Sequence, residues 1–442
     1  MKIKLSDHFS YGRLLRFTLP SIAMMIFTSI YGVVDGFFIS TFTNKTSFAA
    51  VNFIFPFIMM LGAVGFMFGS GGSALVAKTL GEGDREKSNK LFSMIIYVSI
   101  IVGAVITFGG ILLIRPVAAL LGAEGQMLED CVTYGRIILL AMIPFMLQME
   151  FQSLFITAEK PNLGFLVTVA AGVTNMVLDA LLVAVLSWGL VGAALATALS
   201  QTVGGVVSLL FFIKPKSGLL RLTKTNFDGK ALLKTCTNGS SELMSNISMS
   251  LVGMLYNFQL MKYAGEDGVA AYGVLMYVGM IFMAIFIGYS IGTAPIIGYH
   301  YGAANHSELT NILKKSLVII GVTSVSMVAL CFLLAMPLSR LYVGYDPSLF
   351  ELTCRGFYIT AFCFLFAGLA VFGSSFFTAL NNGLISAMMS FMRTIVFQTS
   401  AVLLLPLIWE IDGVWWSMVV ADLLAAAVAA IVILTQKKKY HY

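Results

Sequence analysis

Apolar runs of 18 or more residues recur along the whole 442-residue chain, each able to cross a hydrocarbon core of about 30 Å. Clusters of charge, glycine and proline interrupt them at Lys78–Lys90, Arg115–Asp130, Glu159–Asn162, Lys214–Lys234, His300–Lys315 and Arg340–Arg355. The punctuation predicts twelve helices, at approximately 14–40, 51–77, 91–114, 132–157, 163–187, 190–213, 240–262, 270–297, 316–338, 356–380, 384–408 and 414–435. The fold class expected is an all-α integral membrane protein. The first run starts near Phe17 behind a basic stretch and continues past Asp35 without a small-residue cleavage site. It reads as a retained span rather than a signal peptide.

The pattern also repeats. Residues 151–158, Phe-Gln-Ser-Leu-Phe-Ile-Thr-Ala, return 221 residues later as Phe-Gly-Ser-Ser-Phe-Phe-Thr-Ala. The same offset pairs Ala49-Ala50 with Ala270-Ala271, Gly71 with Gly292, Gly81 with Gly302, Pro116 with Pro337 and Gly135 with Gly356. Chance matches are common in an apolar chain, but one constant offset through glycine and proline is not. Six spans per copy is an even number, so both copies insert the same way up and form a parallel repeat. The expected domains are an N-terminal six-helix lobe at 1–213, a linker at 214–236 and a C-terminal six-helix lobe at 237–442. A duplicated membrane unit with a site between its halves is the usual build of a secondary transporter.

Composition agrees: 59% hydrophobic and 11% charged, against roughly 25% charged in a soluble domain. Charge sets the orientation. The N-terminus, the 78–90, 159–162, 214–236 and 299–315 loops and the tail hold 20 of the 27 Lys and Arg. The opposite loops are the more acidic, so both termini are expected on the cytoplasmic side of a plasma membrane. The net charge of +6 suits anionic inner-leaflet lipid and requires no nucleic acid. Cys131, Cys236, Cys331, Cys354 and Cys363 have no metal spacing and read as small apolar packing residues. His8, His300, His306 and His441 are expected in loops or tails, and no metal or other cofactor is suggested.

Five carboxylates fall within predicted spans: Asp35, Glu150, Asp179, Glu242 and Asp422. Each costs about 2.5–3.5 kcal/mol at a span centre, so each must be neutralised, paired or hydrated. Tyr31 sits one helical turn before Asp35, and Asn175 one turn before Asp179, so each pair shares a helix face. An Asn-Asp pair on one face can share a proton or coordinate a small cation such as sodium; the alternative is an interhelical hydrogen bond that holds the bundle. Glu150 is a further substrate or coupling candidate. Glu242 shares that role with a simpler one, reaching the interface from the start of span 7, where the helix dipole favours a carboxylate. One neighbour on a facing helix would explain Asp422. Only Arg136 and Arg393 approach the membrane, and both read as near helix ends. The interior is thus net acidic, which suits protons, sodium and cationic substrates. The 35 Phe, 25 Met and 16 Tyr are the stock a cavity for planar or amphipathic molecules would use.

Val33-Val34-Asp35 followed by Ala49-Ala50-Val51 resembles the first-helix signature of the multidrug and toxic compound extrusion (MATE) family. Asn175-x-x-x-Asp179 and then Gly189-Leu-Val-Gly192-Ala-Ala-Leu-Ala-Thr197 resemble its fifth and sixth helices; Gly71 to Gly81, echoed at Gly292 and Gly302, resemble its second and eighth helix ends. The similarity covers essentially the whole chain. It implies a V-shaped pair of lobes that rock to expel organic cations in exchange for protons or sodium. It implies too that Asp35, Asn175, Asp179 and Thr197 form a polar cluster in the N-terminal lobe, with Pro20 near a bend of helix 1. One branch of the family couples through acids in helices 7 and 10, but span 10 here has no carboxylate. A monomer is expected, with the bilayer and small amphipathic or planar cations as its partners, and no enzymatic activity. The competing reading is a lipid-linked oligosaccharide flippase of the same two-lobe build, which would need a cationic cavity for pyrophosphate.

Overall fold

The computed structural model describes residues 3–214 and 218–442. The described residues are almost entirely helical. In chain order the helices are α1 (Tyr11–Phe42), α2 (Lys45–Gly81), α3 (Arg85–Leu120), α4 (Gly125–Leu140), α5 (Met142–Thr157), α6 (Pro161–Leu178) and α7 (Gly189–Ile213). There follow α8 (Gly229–Gly302), α9 (His306–Val343), α10 (Pro347–Thr360), α11 (Cys363–Ala379), α12 (Gly383–Phe391), α13 (Thr399–Leu404) and α14 (Pro406–Tyr440). Two π-helical stretches, Asp179–Val185 and Met392–Gln398, continue α6 and join α12 to α13.

These elements make the twelve spans. The pairs α4/α5 and α10/α11 each form one bent span, with bends of 58° and 48°. A straight helix of 74 residues would run about 110 Å, far beyond any bilayer. Accordingly α8 folds back at Gly265 (φ 61°, ψ −149°), a conformation that glycine alone adopts freely, and its two arms are spans 7 and 8. Most helices run several residues past the expected ends, because their amphipathic extensions keep the helical ladder after the apolar stretch stops. Asn44, Asp84, Asn305 and Asp346 cap α2, α3, α9 and α10 by accepting from backbone N–H groups of the first turn.

Three expectations change. The linker is shorter than 214–236, since α8 begins at Gly229; its residues 215–217 lie outside the described residues. The described part docks on α3: Arg85 donates to the Gly218 and Leu219 carbonyls, and Arg221 N donates to Asn89 Oδ1. His300 is no loop residue but a buried one in the last turn of α8. Glu242, expected near a helix start, lies more than three turns inside the first arm of α8. Helix α1 passes Pro20 without breaking.

The lobes meet in the half of the bundle that carries both chain ends, and they meet backbone to backbone. A Cβ added at Gly81 would stand 1.9 Å from the Tyr299 carbonyl oxygen, and one at Gly302 would stand 2.0 Å from that of Lys78. Gly71 abuts the Thr235 carbonyl, Gly239 the Met67 carbonyl, and Gly288 the Ser21–Ile22 backbone. Asn381 ties across the seam, donating from Nδ2 to the Ala74 carbonyl at 3.0 Å and accepting from Asn238 at 2.7 Å.

A strap before α1 reinforces this seam. Leu5 and Phe9 are wholly buried in a cluster that includes Ile156 of α5 and many C-terminal-lobe residues. Leu5 N donates to Glu159 Oε1 at 2.9 Å, on the N-terminal lobe. Phe9 N donates to Glu308 Oε1 at 2.8 Å, while Asn311 and Lys315 donate to the Phe9 carbonyl, all on the C-terminal lobe. His8 Nδ1 lies 2.6 Å from the same glutamate.

Candidate functional site

The N-terminal lobe gathers Asp35, Asn175, Asp179 and Thr197 at one place. Helix α1 packs on α6 where Gly172 removes a side chain: a Cβ there would sit 2.5 Å from Phe27 and 2.9 Å from Tyr31. That close approach brings Asp35, one turn beyond Tyr31, to the level of Asp179. Thr197 of α7 donates to Asp35 Oδ1 at 3.4 Å, and Asp179 and Asn175 lie within side-chain range of the same carboxylate.

Asp179 is fully buried and opens the π-helical stretch after α6. Such widened turns are rare and recur at functional sites. Neither Asp179 oxygen nor Asn175 Oδ1 has a hydrogen-bond partner among the described residues. Two carboxylates in a buried lobe with no basic side chain among their interacting neighbours cannot both hold charge without help. The oxygen-only donor set fits a shared proton or a hard cation.

Tyr134 of α4 was not expected. It is buried and lies within interaction range of Asp35, Asp179 and Thr197, adding a phenol to the cluster. No motif pointed to it, and the residue 221 positions later is Arg355, so the repeat gave no signal.

The other candidates stand apart. Glu150 is buried on α5 against Gly69 of α2, where a Cβ would come 2.9 Å from its Cα, with Ser99 of α3 within side-chain range. Its two oxygens have no hydrogen-bond partner among the described residues. Glu242 is half-buried in the first arm of α8 and joins no group with the others. Asp422 of α14 does have a facing neighbour: it accepts from Arg393 Nε at 2.8 Å. This corrects the placement of Arg393 near a helix end, for it lies midway along span 11, in the π-helical stretch between α12 and α13. The unpaired acids of the interior therefore lie mostly in the N-terminal lobe, with Glu242 the exception, while Asp422 and Arg393 form a paired charge in the C-terminal lobe.

Comparison with known proteins fits this geometry. The family model MatE matches twice, at residues 20–181 and 243–404, one copy in each lobe. The multidrug export protein MepA of Staphylococcus aureus (strain MRSA252) is 24% identical over 421 residues, covering 94% of this chain and 91% of that protein. A structure described as the outward-facing conformation of a multidrug resistance MATE family transporter of the MOP superfamily superposes with TM-score 0.93 at 22% identity, covering 98% of this chain and 97% of that one. A MATE structure in the straight conformation gives 0.92, again at 22% identity and 98% of both chains. Two matched segments, one in each lobe and together spanning most of the sequence, place this chain in the MATE family of multidrug efflux transporters.

Proposed function

We propose that this chain is a secondary antiporter of a plasma membrane, working as a monomer with both termini cytoplasmic. It exports amphipathic or planar organic cations in exchange for protons or sodium. The observation that carries the reading is the Asp35–Asp179 pair, with Asn175, Thr197 and Tyr134 around it and no basic partner among the described residues. A bound organic cation supplies the missing positive charge, and so does a proton or a sodium ion on the same oxygens. Drug and coupling ion therefore compete for one negative field, which is the minimal requirement for exchange.

With the chain ends in the cytoplasm, an orientation that the lysine and arginine bias supports, closure at that half corresponds to an outward-open state. Protons arriving from outside would then neutralise the pair and release the cation there. In the half away from the seam, α8 exposes Met249, Met254, Met261, Met276 and Met280, side chains that adapt to ligands of varied shape.

Dye efflux from inverted membrane vesicles tests the proposal, under a pH gradient alone and a sodium gradient alone. Export under at least one gradient is expected, and loss of it in Asp179→Asn. Transport driven by neither gradient, or preference for an anion over a matched cation, would replace this reading with a flippase.

A further inference from the structure

The C-terminal lobe carries a polar cluster of its own, at the place where the repeat puts the counterpart of the N-terminal site. Tyr256 stands 221 residues after Asp35 and so takes its position in the second copy. The Tyr256 hydroxyl accepts from Ser417 Oγ at 3.0 Å, and its ring stacks on Tyr272 at 5.6 Å. Asp422 lies within electrostatic range of Tyr256 and of Cys363, and it accepts from Arg393 Nε at 2.8 Å.

The geometry of that last bond matters. Asp422 holds Arg393 by its inner nitrogen alone. The two terminal amino groups, Nη1 and Nη2, have no hydrogen-bond partner among the described residues. The Arg393 side chain is 19% exposed and that of Asp422 8%, so the pair is anchored at its buried end and open at the other. A guanidinium midway along a span faces a bundle interior or a water-filled cavity rather than lipid, because charge is costly in hydrocarbon. A planar fork of free N–H groups, fixed from behind by a carboxylate, is the arrangement that grips a second carboxylate in bidentate fashion.

We propose that Arg393, positioned by Asp422, is a carboxylate-binding subsite of the C-terminal lobe. It sets the affinity for those amphipathic substrates that carry a carboxylate, which the Arg393 fork grips. The proposal deepens the export reading and rests on it for the cationic half. Its test reads binding rather than transport, so the two can fail separately.

The probes are rhodamine B, which carries a free carboxylate, and its methyl ester, which is a plain cation. Fluorescence anisotropy titrations on the purified full-length protein give Kd for both. Wild type should bind both dyes. Arg393→Gln should weaken rhodamine B by about tenfold and the ester by less than about twofold, the size expected when one charge-assisted bidentate contact is lost. Because that variant strands Asp422 in the lobe, Arg393→Gln/Asp422→Asn is measured beside it and should show the same selective loss. Equal weakening of both dyes in the double variant, no weakening of either, or no binding of rhodamine B to wild type would overturn the proposal. Asp35→Asn separates the two readings: unchanged ester binding there would remove the N-terminal cation site and leave the Arg393 result standing.

Discussion

A single methyl group at Gly302 should move the whole transporter. The glycine faces Lys78 across the lobe seam, and an added Cβ would stand 2.0 Å from the Lys78 carbonyl oxygen. A carbon and an oxygen rest no closer than about 3.3 Å, so the helices must part locally by about 1.3 Å. The obstacle is backbone, not a side chain that can rotate away. Overpacking of this kind costs about 1–3 kcal/mol. The clash exists only when the lobes are closed at this half, so the cost falls on that state alone. The ratio of the two conformations should change by about 5–150-fold toward opening of the seam. Spin labels at Leu120 and Tyr345, both highly exposed at the opposite end of the bundle, would report it by pulsed electron resonance. In Gly302→Ala the long-distance population between them should shrink in favour of a shorter one. Identical distance distributions together with an unchanged Tm would show that the seam yields without penalty, and the reasoning would fail.

Asp179→Asn should insert and keep or slightly raise Tm, since it removes a buried carboxylate with no hydrogen-bond partner, yet lose gradient-driven export; Asn175→Ala should weaken export less, with vesicle efflux as the measure. Asp35→Asn should match it, and the double variant should be little worse than either single one, whereas multiplicative losses would mean that the acids act independently. Tyr134→Phe should slow export by less than tenfold, as should Glu242→Gln, because the first removes one neutral hydroxyl and the second lies outside the cluster; loss of sodium-driven activity alone in Glu242→Gln would move sodium coupling to the C-terminal lobe. Glu308→Ala should lower stability by about 1–3 kcal/mol in thermal unfolding, since it leaves the buried Phe9 N–H without its acceptor.

Much of this architecture was legible because lipid imposes long apolar runs and duplication copies glycines. The Asn175–Asp179 pairing followed from helix periodicity, and the place of Thr197 from family likeness. Other features left no trace in the sequence. The Arg393–Asp422 pair joins two helices with no periodic relation, and the π-helical stretch beneath Arg393 depends on packing rather than composition. Tyr134 looked like any aromatic residue of a span. The short linker was missed for a physical reason: residues 229–236 are polar enough to read as a loop, yet Asp228 caps them into a helix by accepting from the Lys230 and Ala231 N–H groups. Apolarity marks where a helix meets lipid, not where it ends.

The strap that carries Phe9 also has a meaning in time. Its partner Glu308 lies 299 residues further along the chain. At about 5–20 residues per second, the ribosome makes that glutamate about 15–60 s after Phe9. Throughout that interval Phe9 lacks its acceptor, although Leu5 can already dock on Glu159, and the finished N-terminal lobe has only half a seam. Closure thus reports that synthesis has passed the eighth span. A nascent chain that stops before α8 leaves Phe9 without its acceptor and Gly71 and Gly81 without the backbone that covers them in the finished seam.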